Sequence, residues 1–437
     1  MGERPKIGLV LAGGGARGAY ELGALSSLLP WLAARLKHEP GWPDDIDERQ
    51  WRPDIIVGTS VGALNTAYLA ATAHEPLKRA LDQGCDIWRE ISWHKALSRL
   101  ASPGEAKAIG GAALDLFNFP GAHARKLLDP SPLETTLRDG PLSHSRQGGI
   151  PFAEIHENIH ARKRIEAAAV VATRASTSLS EVFYDGRGVR PTDNNRRGIE
   201  YARTRIGVDH VRASAAIPSV FPPVRVKDPP AVEAWYYDGG TRLNTPIKPA
   251  IDLGATHLIV VALHCTSLGK FSRDDKEPEL LDGAKQLIQG VLVDPLVNDL
   301  HTLANINEIL GVIPTGQAHV PAGESGRARA KTYRQIPYIV IAPETPRAIG
   351  ERAVDVFNDR YAGPKNIARR YHSVALLGRQ LDIDRDSARG ELFSYLFFDP
   401  DFGSSLVELG EADAGRWTDL VEQGQAPLWE TGPLPVL

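Results

Sequence analysis

The sequence predicts an α/β fold in which a mostly parallel sheet is covered by helices. Two strand-to-helix passages support this. In the first, the apolar run Ile7–Leu11 meets Gly13-Gly14-Gly15-Ala16-Arg17-Gly18. A stretch follows in which Leu22, Leu25, Leu29, Leu32 and Leu36 recur at spacings of three and four, one face of a helix. In the second, Ile55-Ile56-Val57 meets Gly58-Thr59-Ser60-Val61-Gly62 and then an Ala- and Leu-rich helical stretch from Val61 to Ala73. Short continuous apolar runs bounded by glycines fit strands buried on both faces, and two such strands joined through a helix make a parallel βαβ unit.

The elements follow in order. Pro30 either kinks the first helix or starts a second, and residues 39–52 read as a loop. Residues 92–149 are rich in Gly, Pro, Ala and Leu, and read either as helices and loops over an active site or as a packing insertion. Within them Ser131-Pro132-Leu133-Glu134 has Ser at the N-cap, Pro at the first helical position and Glu at the third, which opens a short helix. Ile165–Thr173 and Glu181–Tyr184 are neighbouring strands, and Asp185–Gly198 is a surface loop. Val211–Ala216 is a tightly packed helical turn before Pro218, and Trp235–Tyr237 is a strand ending at Asp238-Gly239-Gly240. His257–Leu263 and Tyr338–Ala342 complete the strands. Thr266–Glu279 is a charged loop, Leu280–Leu310 is helical with a break near Pro295, and Ala322–Lys331 is polar and basic. Residues 363–437 read as helices and turns. No linker or repeat divides the chain, which favours one large domain with insertions.

Composition narrows the function. The chain has 437 residues and a formal net charge of −4, and no basic stripe points to nucleic acid. The clusters Arg162-Lys163-Arg164 and Arg196-Arg197 read as solvated surface, with an anionic membrane surface as the alternative. Only two cysteines occur, Cys85 and Cys265, in no metal-ligand spacing, which fits a reducing, cytoplasmic compartment. The first residues do not form a secretory signal, and no apolar run approaches the roughly 18 residues of a membrane span, so any membrane contact is expected to be peripheral.

Ser60 is the candidate nucleophile. Strand, Gly-x-Ser-x-Gly, helix is the context of a nucleophile elbow, in which glycines allow a sharp turn and the serine projects from the sheet. Residues 13–18 also match the Gly-x-Gly-x-x-Gly of dinucleotide-binding folds, but the second strand ends without the ribose-binding acid, and Asp54 precedes it. Three glycines at a helix N-terminus equally expose N–H groups to an oxyanion, with Arg17 as a nearby charge. A tight packing turn is the structural alternative.

A serine needs a base. Of thirteen histidines His264 is the best placed, at a strand end, but neither it nor His210 and His257 lies in a catalytic loop. Asp238 is the other candidate, at a strand end before two glycines; burial beside apolar neighbours would raise its basicity.

Three ordered motifs, Gly13 to Gly18, Gly58 to Gly62 and Asp238-Gly239-Gly240, together with Arg212-Ala213-Ser214-Ala215-Ala216-Ile217-Pro218-Ser219-Val220-Phe221-Pro222-Pro223, resemble the patatin-like phospholipase family. The resemblance covers about the first 250 residues. It implies a three-layer α/β/α sandwich with helical insertions and a helical C-terminal region. It divides the chain into an acyl hydrolase domain over 1–345, including a possible lid or acyl-chain wall at 92–149, and a helical extension over 346–437. It implies Ser60 as nucleophile and Asp238 as base, with Gly14 and Gly15, and possibly Gly13, as oxyanion donors and Arg17 as charge support. Gly18, Gly58, Gly62, Gly239 and Gly240 complete the motifs. The implied substrates are phospholipids, lysophospholipids or other acyl-ester lipids, without metal or cofactor. A lipid-binding regulatory protein on the same fold and a nucleotide-binding oxidoreductase are the alternatives.

Overall fold

The first strand, β1 (Ile7–Leu11), is buried at every position and pairs in parallel on one side with β2 (Ile55–Thr59) and on the other with β8 (His257–Val261). This is a computed structural model, and it describes residues 4–92, 131–139, 149–194, 197–218, 221–265, 294–313, 317–320, 331–362, 375, 378 and 387–432. The other strands of the main sheet are β3 (Ala167–Arg174), β4 (Ser180–Gly186), β5 (Ile199–Arg203), β6 (Val224–Val226), β7 (Ala234–Asp238) and β11 (Tyr338–Ile341). Its order is β11-β8-β1-β2-β3-β4-β5, and β7 pairs with β3 and β6. The pairings from β11 to β3 are parallel, while β4 and β7 run antiparallel to β3. A separate antiparallel ribbon joins β9 (Gln317–Val320) to β10 (Lys331–Arg334).

The helices are α1 (Gly18–Leu36), α2 (Val61–Ala71), α3 (Leu77–Glu90), α4 (Ser131–Asp139), α5 (Phe152–His160), α6 (Val208–Ser214), α7 (Ile247–Asp252), α8 (Asp294–Gly311), α9 (Ala348–Phe357), α10 (Ser387–Ser394) and α11 (Pro400–Glu422). They cover both faces of the sheet. Leu9 and Ile56 join one core with α1, α2, α3, α5 and α11, whereas Val10, Ile55 and Val57 join a second core with α7 and α8. Successive strand residues point to opposite faces, so continuous apolar runs are what a sheet with helices on both sides requires. The fold is the expected α/β/α sandwich with a mostly parallel sheet.

Several boundaries differ from the sequence expectation. Pro30 lies inside a single continuous α1. Asp185 and Gly186 belong to β4, so the loop after it starts later than expected. The helix before Pro218 is α6, which starts at Val208 and ends at Ser214. The described part of the helix expected over Leu280–Leu310 is Asp294–Gly311, and Pro295 stands at its beginning. Most of the candidate lid, the loop over Thr266–Glu279 and most of Ala322–Lys331 lie outside the described residues.

The C-terminal helix α11 packs along α1. Asp399 caps it, accepting from the N–H groups of Asp401 (2.9 Å) and Phe402 (3.4 Å). Tyr20 donates to Asp413 Oδ2 at 2.8 Å across the contact, and Trp31 meets Trp417 edge-on at 5.7 Å. Phe402 is fully buried and stacks on Phe397 at 5.1 Å. Phe402→Ala is therefore expected to cost about 4 kcal/mol in a denaturant titration. A loss below about 1 kcal/mol would show that α11 is not part of the cooperative unit.

Candidate active site

Ser60 is placed by the junction of β2 and α2. The backbone turns there with φ +54°, a left-handed conformation that a side-chain-bearing residue adopts only under strain. The turn is held from below by close approach: a Cβ on Gly62 would lie 2.4 Å from the Leu11 carbonyl oxygen. Gly58, in β2, and Gly62, in the first turn of α2, thus flank a serine whose N–H donates to Ser214 Oγ at 2.9 Å. Ser214 in turn donates to the Val171 carbonyl at 2.5 Å.

Asp238 arrives from the opposite direction. Its strand β7 pairs with the same edge of β3 as β2 does, because β4 occupies the other edge. Thr59 lies opposite Val171, and Asp238 lies opposite the next residue, Ala172. The two strands therefore meet end to end. Ser60 Oγ donates to Asp238 Oδ2 at 2.6 Å, and the Gly240 N–H donates to Oδ1 at 2.6 Å. Gly239 and Gly240 form the 3-10 turn that follows. Ser60 and Asp238 are both buried, and burial pushes the Asp238 carboxyl up to about 7, against the opposing hydrogen bonds from Ser60 and Gly240.

The glycine loop divides differently from the expectation. The Gly13 N–H donates to the Asn244 carbonyl at 3.2 Å, so it is not free to face an oxyanion. Ala16 N–H donates to Tyr395 O at 2.9 Å and Arg17 N–H to Gly14 O at 3.2 Å. Among the described residues, the N–H groups of Gly14 and Gly15 donate to no backbone acceptor. Gly15 has φ +60°, and a Cβ there would lie 2.1 Å from the Tyr395 carbonyl oxygen. Gly18 opens α1.

The Arg17 guanidinium is likewise committed elsewhere. It is fully buried, and donates to Ser394 Oγ (2.8 Å), the Glu391 carbonyl (2.5 Å) and Glu391 Oε2 (2.7 Å), with its carbon 3.9 Å above the Tyr395 ring. It also approaches the Leu263 carbonyl and His264 Nδ1, both at 3.4 Å. Arg17 therefore ties the glycine loop to α10 and the segment after it instead of presenting its charge to an oxyanion.

The histidines are occupied structurally. His264 faces Arg17 with Nδ1 and the Tyr395 hydroxyl with Nε2 at 2.8 Å; burial, then the Arg17 charge, hold its pKa well below the usual value. His210 accepts from the Gly207 N–H at 3.0 Å and contacts the Asp228 carbonyl at 2.8 Å. His257 meets the Trp42 and Trp429 rings edge-on, and burial lowers it to about 4. Asp54 lies at the far end of the sheet, where its Oδ2 accepts from the Ile7 N–H at 2.9 Å.

An apolar cavity opens at Ser60. Its walls include Leu64, Tyr68, Trp88, Leu137, Phe221 and Phe398. The arrangement brings a serine hydroxyl, a buried carboxylate of raised basicity, two N–H groups with no backbone acceptor among the described residues and an apolar cavity to one place. Sequence reasoning did not find Asn244, Glu391 or Tyr395, which hold the loop; they are ordinary polar residues far along the chain, and no local motif marks them. Ser214 lies in the Arg212–Pro223 stretch, but its hold on the Ser60 N–H was not foreseen.

A family model described as Patatin-like phospholipase matches residues 9–251, more than half of the chain. No curated protein matches it. Among solved structures the chain is similar to VipD from Legionella pneumophila, at 14% identity, with 87% of this chain and 66% of that one covered and a TM-score of 0.29.

The buried Arg17 contacts lead to a test. Arg17→Ala is expected to cost about 3 kcal/mol in chemical unfolding, because the Glu391 carboxylate and Ser394 lose their partner. Arg17→Ala combined with Glu391→Ala should cost less than the sum of the two single changes, since the orphaned carboxylate is removed as well.

Proposed function

The chain belongs to the patatin-like phospholipase family, and from that premise we propose a serine lipid acyl hydrolase that acts through a Ser60–Asp238 dyad and an acyl-enzyme. Its activity is of the phospholipase A, lysophospholipase or carboxylesterase type. The observation that supports this best is the 2.6 Å hydrogen bond from Ser60 Oγ, at a strained elbow, to a buried carboxylate pushed up to about 7.

In the first half-reaction, Asp238 Oδ2 takes the hydroxyl proton as Ser60 Oγ bonds to the ester carbonyl carbon. The carbonyl oxygen becomes an oxyanion facing the Gly14 and Gly15 N–H groups at the start of α1, where the helix dipole adds positive potential. Collapse of this intermediate breaks the ester bond, and Asp238 returns the proton to the leaving alkoxide. In the second half-reaction, Asp238 takes a proton from water as the water attacks the acyl-enzyme. The fatty acid leaves, and the proton goes back to Ser60. The apolar cavity beside Ser60 takes the acyl chain, whose burial supplies about 0.8 kcal/mol per methylene.

On this reading the acyl hydrolase domain spans residues 1–345, with 346–437 as a helical extension packed on it. Contact with lipid is peripheral; among the described residues no helix is long and apolar enough to cross a membrane.

A fluorophosphonate probe should label Ser60 in the wild type and leave Ser60→Ala unlabelled. Ser60→Ala and Asp238→Asn should each lower kcat for a short-chain ester by at least about 10⁴-fold while keeping the wild-type circular dichroism spectrum. Wild-type turnover by purified Ser60→Ala would overturn the mechanism, and labelling without turnover on a broad lipid panel would favour a lipid-binding regulator.

The acidity of Asp238 generates a second pair of outcomes. Only the carboxylate accepts a proton, so kcat/KM should rise about tenfold per pH unit below 7 and level off above an apparent pKa of about 7. Stability should run the other way. The folded pKa lies above the ordinary 3.8, so the fold favours the protonated form, and this group's contribution is lost as pH rises from about 4 through about 7. Asp238→Asn should remove that slope from a series of unfolding curves.

A further inference from the structure

We propose that His156, His160 and Asp185 form a binding site for one divalent cation of the zinc class, separate from the Ser60 centre. The two histidines lie one turn apart on α5, in His156-Glu157-Asn158-Ile159-His160, the spacing at which two imidazoles on one helix face share a metal ion. Asp185 reaches the same point from β4. His156 Nδ1 lies 2.8 Å from Asp185 Oδ2, His160 Nε2 lies 2.7 Å from Oδ1, and the three donor atoms are all within 4.8 Å of one another.

Three physical arguments favour a cation over a simple hydrogen-bonded cluster. The first is charge. Asp185 is 3% exposed, and among the described residues neither lysine nor arginine pairs with it; its ion-pair partners are the two imidazoles. A buried carboxylate needs a compensating positive charge, which a divalent ion supplies outright. The second is geometry. Tetrahedral zinc with ligands near 2.0 Å separates donor atoms by about 3.3 Å, and the three ligand atoms, one from each side chain, already lie within 4.8 Å of one another, so small side-chain rotations close the site. The third is access. The two histidines are partly exposed, with side chains at 28% and 27%, which leaves a path for the ion and room for water at a fourth position.

The donor set also selects the ion. Two imidazoles with one carboxylate suit zinc and its neighbours in the first transition row, whereas calcium and magnesium prefer oxygen donors alone. Each imidazole would bind through the nitrogen that now faces Asp185 and keep its proton on the other.

Position gives the ion a structural role. Asp185 pairs with Ala168 on β3, and Asp238 pairs with Ala172, four residues along the same strand. At about 3.3 Å per residue this is about 13 Å, too far for the ion to touch the reacting atoms. Glu157 is exposed and takes no part in the cluster's hydrogen bonds. The ion would pin α5 to β4 through Asp185.

The test uses the untagged full-length protein, stripped with chelator and titrated with Zn²⁺ by calorimetry and with Co²⁺ by visible absorption. One equivalent is expected to bind, with the intense 500–700 nm bands of four-coordinate cobalt, and Zn²⁺ should raise the thermal unfolding midpoint. His160→Ala should weaken binding at least about tenfold, as should Asp185→Asn, with ester hydrolysis at Ser60 unchanged. Absence of stoichiometric binding by the wild type would overturn the proposal, as would equal affinity in the His156→Ala/His160→Ala double variant. Should the variants fail to fold, X-ray absorption of the zinc-loaded wild type decides. Two imidazole nitrogens and a carboxylate oxygen support the site, and any sulfur ligand or a single imidazole refutes it.

Discussion

The whole site depends on one pairing constraint: two strands share one edge of β3. The strand β2 occupies that edge as far as Val171, and β7 takes it over in the opposite direction from Ala172. Main-chain hydrogen bonds fix both registers, so the last residue of β7 must stop against the first residue beyond β2. A slip of one residue in either register would turn the side chain to the other face of the sheet. The hydrogen-bonded hydroxyl and carboxylate come from positions 60 and 238, yet no flexible loop sets their separation.

The same placement creates an electrostatic conflict at Asp238. A carboxylate at the inner end of a strand is desolvated, and its described hydrogen-bond donors are the Ser60 hydroxyl and the Gly240 N–H, neither of them charged. Compare Asp54, also buried at a strand end, which pairs with Arg4. A cation beside Asp238 would stabilise the carboxylate and lower its affinity for the serine proton. Leaving it unpaired costs folding stability near neutral pH and raises basicity toward the range a general base needs. The position of Arg17 fits this economy. It is the charged residue nearest in sequence to the glycine loop, and its guanidinium is turned away to Glu391, Ser394 and Tyr395.

Parts of this arrangement were legible in the sequence and others were not, and the difference is one of range. Strands β1, β2, β3 and β8 could be read because a sheet covered on both faces demands unbroken apolar runs. The Ser60 turn could be read because a sharp strand-to-helix turn demands glycine nearby. Asp238-Gly239-Gly240 was readable as a strand end, but its meeting with Ser60 came only as an implication of the family resemblance, because the β3 register that sets it leaves no local mark. Asn244 was invisible for the same reason, since its backbone carbonyl takes the Gly13 N–H and every residue has a carbonyl. The spacing of His156 and His160 was present in the sequence, but their convergence depends on Asp185 belonging to β4 and not to the loop that its Gly- and Asn-rich neighbours suggested.

The distribution of partners around the glycine loop shows how the site is assembled. Gly13 is held by Asn244, Ala16 by the Tyr395 carbonyl, and Arg17 by Glu391 and Ser394. The N–H groups of Gly14 and Gly15, which have no backbone acceptor among the described residues, are thus defined by what is bonded on either side of them. Two of the three anchors come from residues beyond 390, outside the span that matches the family. A loop of three glycines has many conformations of its own, and ordering each residue costs about 1–2 kcal/mol. The packing of α11 on α1 and the Arg17 contacts to the C-terminal segment offset that cost before any substrate arrives. The C-terminal segment therefore belongs physically to the glycine loop that residues 13–18 only begin.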